Sequence, residues 1–512
     1  MGSHYIPVGK IKIDKDLLDL ACPAAGYTPE IMCPAAGYIL DTVPEYEEFL
    51  ELPEPSEEEI ILECEDIGER IIIFRTTLGG GGTVCVDIYD ASNILQYSYT
   101  VNSNVTFSFD SEKNPISHYY YIKIYPQLAG KQITVFTRHG LTGYSYDYPI
   151  LSAIFNTPNI TSLASAFRDQ SRFKKITFNC SLNYLTNLSY TFANAGITHF
   201  TFPASLPACN NITSMFHESA LYYCDFNFCS MPLLTSNAQS VLRDTKNLRI
   251  VIFNPVFENI TNMFYFFAGS GIRELDASPA NFGSGTKTVS MNYWVQNCVN
   301  LQSLIWFDIP STFTITLTSG IENCPSLKYL EIKGYFNFSG SYFLRYTTNI
   351  ETFILDKYVS VIPWATTTLS KLKTLRLPDE WPGLNLALNS LSALEELDCP
   401  NCYSTGQVYL SCSQKILKKI NLPNVYCYRI NIGNTSNVLF KLNEVILDWG
   451  NGDPSNEVSP IYDINANLNS TQINAIFSAL PEVTGRAIRV SSNPGFAASD
   501  PSIATAKGWG VI

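Results

Sequence analysis

Val295-Gln-Asn-Cys-Val-Asn-Leu-Gln-Ser-Leu-Ile-Trp306 is followed 26 residues later by Ile321-Glu-Asn-Cys-Pro-Ser-Leu-Lys-Tyr-Leu-Glu-Ile332, and Phe167-Arg-Asp-Gln-Ser-Arg-Phe-Lys-Lys-Ile-Thr-Phe178 upstream has the same pattern. In each stretch an apolar residue is followed by a second one six positions on, a third nine on and a fourth eleven on. With the first position as a marker, copies start at Phe167, Phe192, Phe216, Leu242, Phe267, Val295, Ile321 and Leu344, at spacings of 25, 24, 26, 25, 28, 26 and 23. Four looser copies follow, recognised by Leu372-Lys-Thr-Leu-Arg-Leu377, Leu394-Glu-Glu-Leu-Asp-Cys399, Leu417-Lys-Lys-Ile-Asn-Leu422 and Leu442-Asn-Glu-Val-Ile-Leu447. A period in this range marks a solenoid, in which one unit cannot bury its own apolar edge and stacked units share a continuous core.

The L-x-x-L-x-L core of each unit reads as a short strand with alternate side chains inward, preceded by a turn and a brief helical or irregular segment. The expected architecture is an α/β solenoid, a leucine-rich-repeat stack of about twelve irregular repeats over residues 155–466. Residues 467–512 read as a C-terminal cap, because an open last repeat would expose sheet edge and apolar surface. In it Ser470-Thr471 opens a helix through Phe477, Ala487 to Val490 is a strand, and Asp500-Pro501 starts a final helical turn. Cys298 and Cys324 occupy equivalent places after Asn297 and Asn323 and are expected as an interior ladder of small buried side chains.

Residues 60–145 differ. Ile71-Ile-Ile-Phe74, Val84-Cys-Val-Asp-Ile88, Val105-Thr-Phe-Ser-Phe109, Tyr119-Tyr-Tyr-Ile-Lys-Ile124 and Ile133-Thr-Val-Phe136 are β-runs separated by turn residues, the pattern of a small β-sandwich. Gly79 to Gly82 lacks the Lys-Ser/Thr of a phosphate-binding loop and reads as a hairpin. Residues 1–58 form an extended acidic segment in which Cys22-Pro-Ala-Ala-Gly-Tyr27 recurs as Cys33-Pro-Ala-Ala-Gly-Tyr38. Three readings of this duplication stand: a linker or minor repeat, a docking peptide that gains affinity by presenting Tyr27 and Tyr38 together, and a zinc site at Cys22 and Cys33.

The 512 residues carry a net charge of −13 with no Lys/Arg block, so the counterion-release term that drives nucleic-acid binding is missing. No apolar run reaches eighteen residues, so membrane insertion is not expected. Charged residues at Lys10, Lys12, Asp14, Lys15, Asp16 and Asp19 interrupt the region where an export signal would be apolar, and Asp19 spoils the lipoprotein-like Leu20-Ala21-Cys22. Fourteen cysteines are too few for a disulfide-stapled scaffold, and the single CxxC, Cys399 to Cys402, has no second pair.

A search for chemistry finds little. The sequence has five histidines, and His199 and His217 fall on adjacent repeats, where a surface pair or a metal or proton-relay pair are the two readings. Asp448-Trp-Gly-Asn-Gly-Asp-Pro454 looks like a calcium loop without its closing Glu, and a polar turn is the plainer account. Asn159, Asn211 and Asn259 begin N-x-Thr triplets that repeat geometry explains. Among the 30 Phe and 30 Tyr, solvent-facing tyrosines near Tyr222-Tyr223 are suited to stack on sugars or anchor a protein interface. No cofactor or metal is called for, and the expected role is binding, not catalysis.

The blocks Asn211-Ile-Thr-Ser-Met-Phe216 and Asn259-Ile-Thr-Asn-Met-Phe264 resemble repeats of the BspA-like leucine-rich-repeat family, mostly bacterial cell-surface adhesins. The ending, from Leu468 through Asn493-Pro-Gly495 to Gly510, resembles the terminal cap of repeat proteins found in gut Bacteroidales and their crAss-like bacteriophages. The resemblance to the phage proteins implies a virion fibre or spike, assembled in the host cytoplasm, often trimeric in such fibres. In that reading Cys22, Tyr27, Cys33 and Tyr38 dock to capsid or tail proteins, and the repeats bind host surface glycan or protein through residues the sequence does not single out. The Met1-Gly-Ser-His4 start keeps a bacterial surface adhesin as the alternative.

Overall fold

The computed structural model describes residues 58–65, 71–110, 119–138, 150–308, 310–334, 343–356, 369–377, 391, 393–398, 468–480, 482 and 485–512, together with the strands at 419–422, 431–432, 444–447 and 461–464. The 1–58 segment, apart from Glu58, lies outside them, as do the Cys399 to Cys402 pair and the Asp448 to Pro454 loop.

Eight strands come first: β1 (Glu59–Glu65), β2 (Ile71–Leu78), β3 (Thr83–Asp90), β4 (Leu95–Asn102), β5 (Thr106–Asp110), β6 (Tyr119–Pro126), β7 (Ile133–Arg138) and β8 (Ile150–Asn156). They form two antiparallel arrays, β4-β3-β6-β1-β8 and β5-β2-β7, with Phe74, Phe107, Phe109 and Phe136 buried. Tyr99 meets Phe107 edge-on at 5.5 Å, a geometry that aromatic quadrupoles favour.

Both arrays run on into the repeats. β8 pairs in parallel with β9 (Lys175–Phe178), Ser152 opposite Lys175, which makes β8 the first rung of the strand ladder. On the other side Val135 of β7 bridges in parallel to Ser162, and the bridges continue through Asn187 to Asn211.

The repeat strands that follow are β10 (His199–Thr201), β11 (Tyr223–Asp225), β12 (Ile250–Ile252), β13 (Glu274–Asp276), β14 (Lys287–Ser290), β15 (Ser303–Trp306), β16 (Phe313–Thr316), β17 (Tyr329–Ile332), β18 (Thr352–Leu355), β19 (Thr374–Arg376), β20 (Glu396–Asp398), β21 (Lys419–Leu422), β22 (Asn431–Ile432) and β23 (Glu444–Leu447). β10-β11-β12 and β13-β15-β17-β18-β19-β20-β21-β23 are parallel ladders of main rungs, while β14 pairs with β16 on another side of the coil. The result is a β-solenoid of about 11 turns.

No α-helix occurs among the described residues of these turns. Where a brief helical or irregular segment was expected, the chain takes the irregular form and makes consecutive tight turns, with left-handed residues two before and two after the marker. The first column is Ser165, Tyr190, Ser214, Ser240, Tyr265, Tyr293 and Ser319; the second is Asp169, Asn194, Glu218, Asp244, Gly269, Asn297 and Asn323. A left-handed residue every four positions prevents a right-handed helix from propagating.

The marker residues themselves stack through the interior. Phe167, Phe192, Phe216, Leu242, Phe267, Val295, Ile321 and Leu344 are all buried, and the Phe192 ring lies 5.9 Å from Phe167 and 5.3 Å from Phe216 in near-parallel stacks. Three positions after each marker runs a buried column of mostly small polar side chains, including Ser219, Thr245, Ser270, Cys298, Cys324 and Thr347. Cys298 Sγ donates to Phe267 O at 3.1 Å, Cys324 Sγ to Val295 O at 3.1 Å and Thr347 Oγ1 to Ile321 O at 2.6 Å, each reaching the marker carbonyl of the preceding turn. The two cysteines are therefore internal donors, and burial pushes the Cys298 thiol up to about 12.

Beyond the repeats come β24 (Ile461–Ile464), α1 (Ser470–Ala479), β25 (Arg486–Arg489), α2 (Ser502–Thr505) and β26 (Trp509–Val511), with β22-β24-β25-β26 in one parallel sheet. The N-cap of α1 is Asn469, whose Oδ1 accepts from Gln472 N at 2.9 Å while Asn469 N donates to Gln472 Oε1 at 3.0 Å, a reciprocal capping box. Buried Asn493 ties these elements together, donating to Ile464 O and Val490 O and accepting from Leu468 N. Among the described residues no helix is long and apolar enough to cross a membrane.

Because Phe192 is packed between two marker rings, Phe192→Ala should lower stability by about 3–5 kcal/mol, read as a fall in the urea midpoint at unchanged slope. A cost below about 1 kcal/mol would mean the spine does not carry the stack.

Candidate functional site

In β10 to β13, β15 and β17 to β20 the central residue is buried and its two neighbours flank it on the outer face, all less buried except Ile305. Phe200, Cys224, Val251, Leu275, Leu304, Leu330, Phe353, Leu375 and Leu397 are buried. The outward residues therefore line up in two rows across the rungs, because parallel pairing in register puts equivalent residues side by side. One row runs His199, Tyr223, Ile250 and then, on the next ladder, Glu274, Ser303, Tyr329, Thr352, Thr374 and Glu396. The other runs Thr201, Asp225, Ile252 and then Asp276, Ile305, Glu331, Ile354, Arg376 and Asp398.

Twice on this strand face a tyrosine and a carboxylate stand two residues apart on one strand. Tyr329 Oη donates to Glu331 Oε2 at 2.6 Å, and Tyr223 Oη donates to Asp225 Oδ2 at 3.4 Å. Burial and the bond to Glu331 hold the Tyr329 phenol above its ordinary value, while burial raises the Asp225 carboxyl against the bonds from Asn227 N and Tyr223. All four side chains are half-buried. Each pair thus offers a ring face for apolar contact beside a carboxylate that accepts hydrogen bonds, and half-buried Ile354 stands next to Glu331 on the following rung. By the spacing of neighbouring strands the two pairs are roughly 19 Å apart.

Further along, charges alternate at the strand entrances. Lys373 Nζ lies 2.6 Å from Glu351 Oε2 and Lys328 Nζ 3.9 Å from Glu351 Oε1, and Lys373 holds the Glu351 carboxyl below its usual range. Arg376 and Asp398 pair at 3.9 Å.

His199 and His217 are not neighbours on one surface. His199 opens β10 on the strand face, its Nδ1 2.9 Å from Thr198 Oγ1 and its ring 6.1 Å from that of Tyr223. His217 sits in the turns, between marker Phe216 and left-handed Glu218. Tyr222, just before β11, and Tyr223, which opens it, are both half-buried. Tyr329 and the carboxylates Asp225 and Glu331 were missed, although their period-two placement around Cys224 and Leu330 was a usable signal. Cys22, Tyr27, Cys33 and Tyr38 lie outside the described residues.

The asparagines of the N-x-Thr triplets have structural work. Asn211 Oδ1 accepts from Thr213 N at 3.0 Å to shape its turn, and the equivalent bond two turns on is Asn262 Oδ1 from Phe264 N. Asn259 instead donates to Pro232 O at 2.7 Å. The two Met-Phe blocks that look alike in sequence are thus three residues out of register in the coil.

The chain is a β-solenoid, and its structural neighbours are leucine-rich-repeat proteins. It is similar to a leucine-rich repeat protein from Bacteroides ovatus at 15% identity and a TM-score of 0.29, over 60% of this chain and 87% of that one. An internalin from Listeria monocytogenes gives 15% identity and a TM-score of 0.25 over 55% and 77%, and a leucine-rich repeat protein from Eubacterium ventriosum 14% and 0.22 over 53% and 88%. No sequence-family description and no curated protein matches the chain.

Burial lowers the affinity of the His199 ring for a proton, and its Nε2 is buried without a partner. The neutral ring then favours the folded state above the unfolded value near 6.5, and that contribution is lost as pH falls through the lower folded value. Urea midpoints measured from about pH 7 to about pH 5 should fall more steeply for the native chain than for His199→Phe. Equal slopes would show that His199 carries no proton linkage.

Proposed function

We propose that the protein is a non-catalytic attachment protein whose strand face binds a hydroxyl-rich surface ligand, with host-cell glycan the best fit. The observation that carries this reading is the repeated tyrosine-carboxylate pair, Tyr223 with Asp225 and Tyr329 with Glu331. A sugar ring presents C–H groups on one face and hydroxyl donors at its rim, so it complements a phenol ring with a carboxylate beside it. Two such pairs on one surface suit an extended, repeating ligand, which gains affinity by engaging both.

In the same proposal the chain is a virion fibre or spike. Residues 1–58 dock it to capsid or tail proteins through the duplicated Cys22 to Tyr27 and Cys33 to Tyr38 hexapeptides, the two N-terminal arrays serve as a β-sandwich spacer, and 467–512 close the far end as a cap. Support comes from the resemblance of the ending to repeat proteins of crAss-like phages and from the duplication itself.

Two assays separate the halves of this reading. Binding of the full chain to cell-envelope glycan fractions of gut Bacteroidales should drop about tenfold or more in Tyr223→Ala and in Tyr329→Ala, with circular dichroism unchanged. Undiminished binding in both variants would contradict the strand-face assignment. Full-length protein should co-sediment with purified virions and the chain lacking residues 1–58 should not; failure of the full-length chain would leave the surface-adhesin alternative standing.

A further inference from the structure

The turn face, away from the tyrosine-carboxylate pairs, brings one imidazole and two carboxylates together from successive turns. His217 Nε2 lies 3.6 Å from Asp244 Oδ2 and 3.9 Å from Glu218 Oε1, and one donor atom from each of the three residues falls within 4.8 Å of the others. Among the described residues no other trio of His, Cys, Asp and Glu side chains converges in this way. Donors bound at about 2.0–2.2 Å to a tetrahedral zinc-type ion stand roughly 3.3–3.6 Å apart, so small rotations of these side chains would close them on a cation.

A second feature makes room for the Asp244 carboxylate. Gly269 occupies the second left-handed column directly after Asp244, with φ +70, and a Cβ there would come within 2.2 Å of Asp244 Oδ1. The preceding turns carry Asn194, Glu218 and Asp244 at this position, and the next carries Asn297. Glycine is thus the residue that lets the Asp244 side chain lie over the following turn, in reach of His217 on the turn before.

Arg243 Nε also contacts Asp244 Oδ2, at 3.1 Å, and its guanidinium lies 5.0 Å from the centre of the Tyr265 ring. Arg243 is thus a cation with which an incoming metal ion would compete for Asp244. The guanidinium already lies against the Tyr265 ring while its Nε contacts Asp244.

We propose that His217, Glu218 and Asp244 form a binding site for a divalent transition-metal ion of the zinc class. One nitrogen and two carboxylate oxygens suit such an ion, and three protein donors leave a coordination position for water or for a donor atom of another molecule. His217 and Asp244 are half-buried and Glu218 is exposed, so that position is reachable from outside.

The test titrates the chelator-treated full chain with Co²⁺, followed by its visible spectrum, with Zn²⁺ as competitor. The native chain should bind one ion at this site with a d–d spectrum of nitrogen and oxygen ligation and no thiolate charge-transfer band, which distinguishes it from binding at any of the cysteines. His217→Ala and Asp244→Asn should each weaken that binding at least about tenfold, since each removes a direct ligand. Arg243→Gln, which removes the competing cation without touching a ligand, should bind at least as tightly as the native chain. Native stoichiometry and affinity in His217→Ala, a spectrum dominated by thiolate ligation, or no cobalt uptake by the native chain would each overturn the proposal.

Discussion

Every turn of this solenoid is held to the next by backbone hydrogen bonds, and the rest of the structure depends on that dependence. At one marker, Tyr190, Phe192 and Asn194 donate their N–H groups to Thr213, Met215 and His217 carbonyls of the following turn at 2.7–2.9 Å. The same triple of donors recurs from Ser214, Phe216 and Glu218 to Gln239, Val241 and Arg243. Two left-handed residues around each marker aim these donors along the coil axis, and they cost about 1–2 kcal/mol each where the residue is not glycine. The stacked marker side chains and the inter-turn bonds offset that cost only when a neighbouring turn is present. Stability is therefore a property of adjacent pairs, as in other repeat architectures.

This coupling explains why the N-terminal arrays are continuous with the coil. A first repeat left bare would expose a sheet edge and an unfilled marker pocket. β8 covers the strand edge through its pairing with β9, and Phe136 and Phe155 close the aromatic spine against Phe167 at 6.0 and 6.2 Å. The function proposed for the strand face rests on the same regularity: residues repeated at fixed offsets become rows, and chemistry placed at one offset becomes a surface. The turn face obeys the rule as well, which is how His217 and Asp244 meet although 27 residues separate them.

Much of this was legible in the residues. The marker positions are all interior, the L-x-x-L-x-L segments are the rungs, and the helix, strand and last helical turn after residue 467 lie where their capping and turn residues placed them, with Asn469 and not Ser470 as the cap. The sequence left the returns open between helical and irregular for a physical reason: left-handed positions filled mostly by Ser, Tyr, Asp, Asn and Glu carry no glycine signature, so the tight turns look like helix-compatible sequence. Register failed at Asn259 because a short polar motif can recur anywhere, whereas the bond that shapes the turn belongs to Asn262. The outward carboxylates Asp225 and Glu331 were passed over because a single charged residue in a strand has no motif; only stacking gives it neighbours.

The measurement that bears most directly on the account is hydroxyl-radical footprinting of the full chain, alone and bound to host envelope glycan, read by mass spectrometry. Tyr223 and Tyr329 on the strand face should become protected, while Tyr190 and Tyr346, which are exposed on the turns, should keep their reactivity. Protection confined to Tyr190 and Tyr346 would contradict the assignment and move the binding surface to the opposite side of the coil.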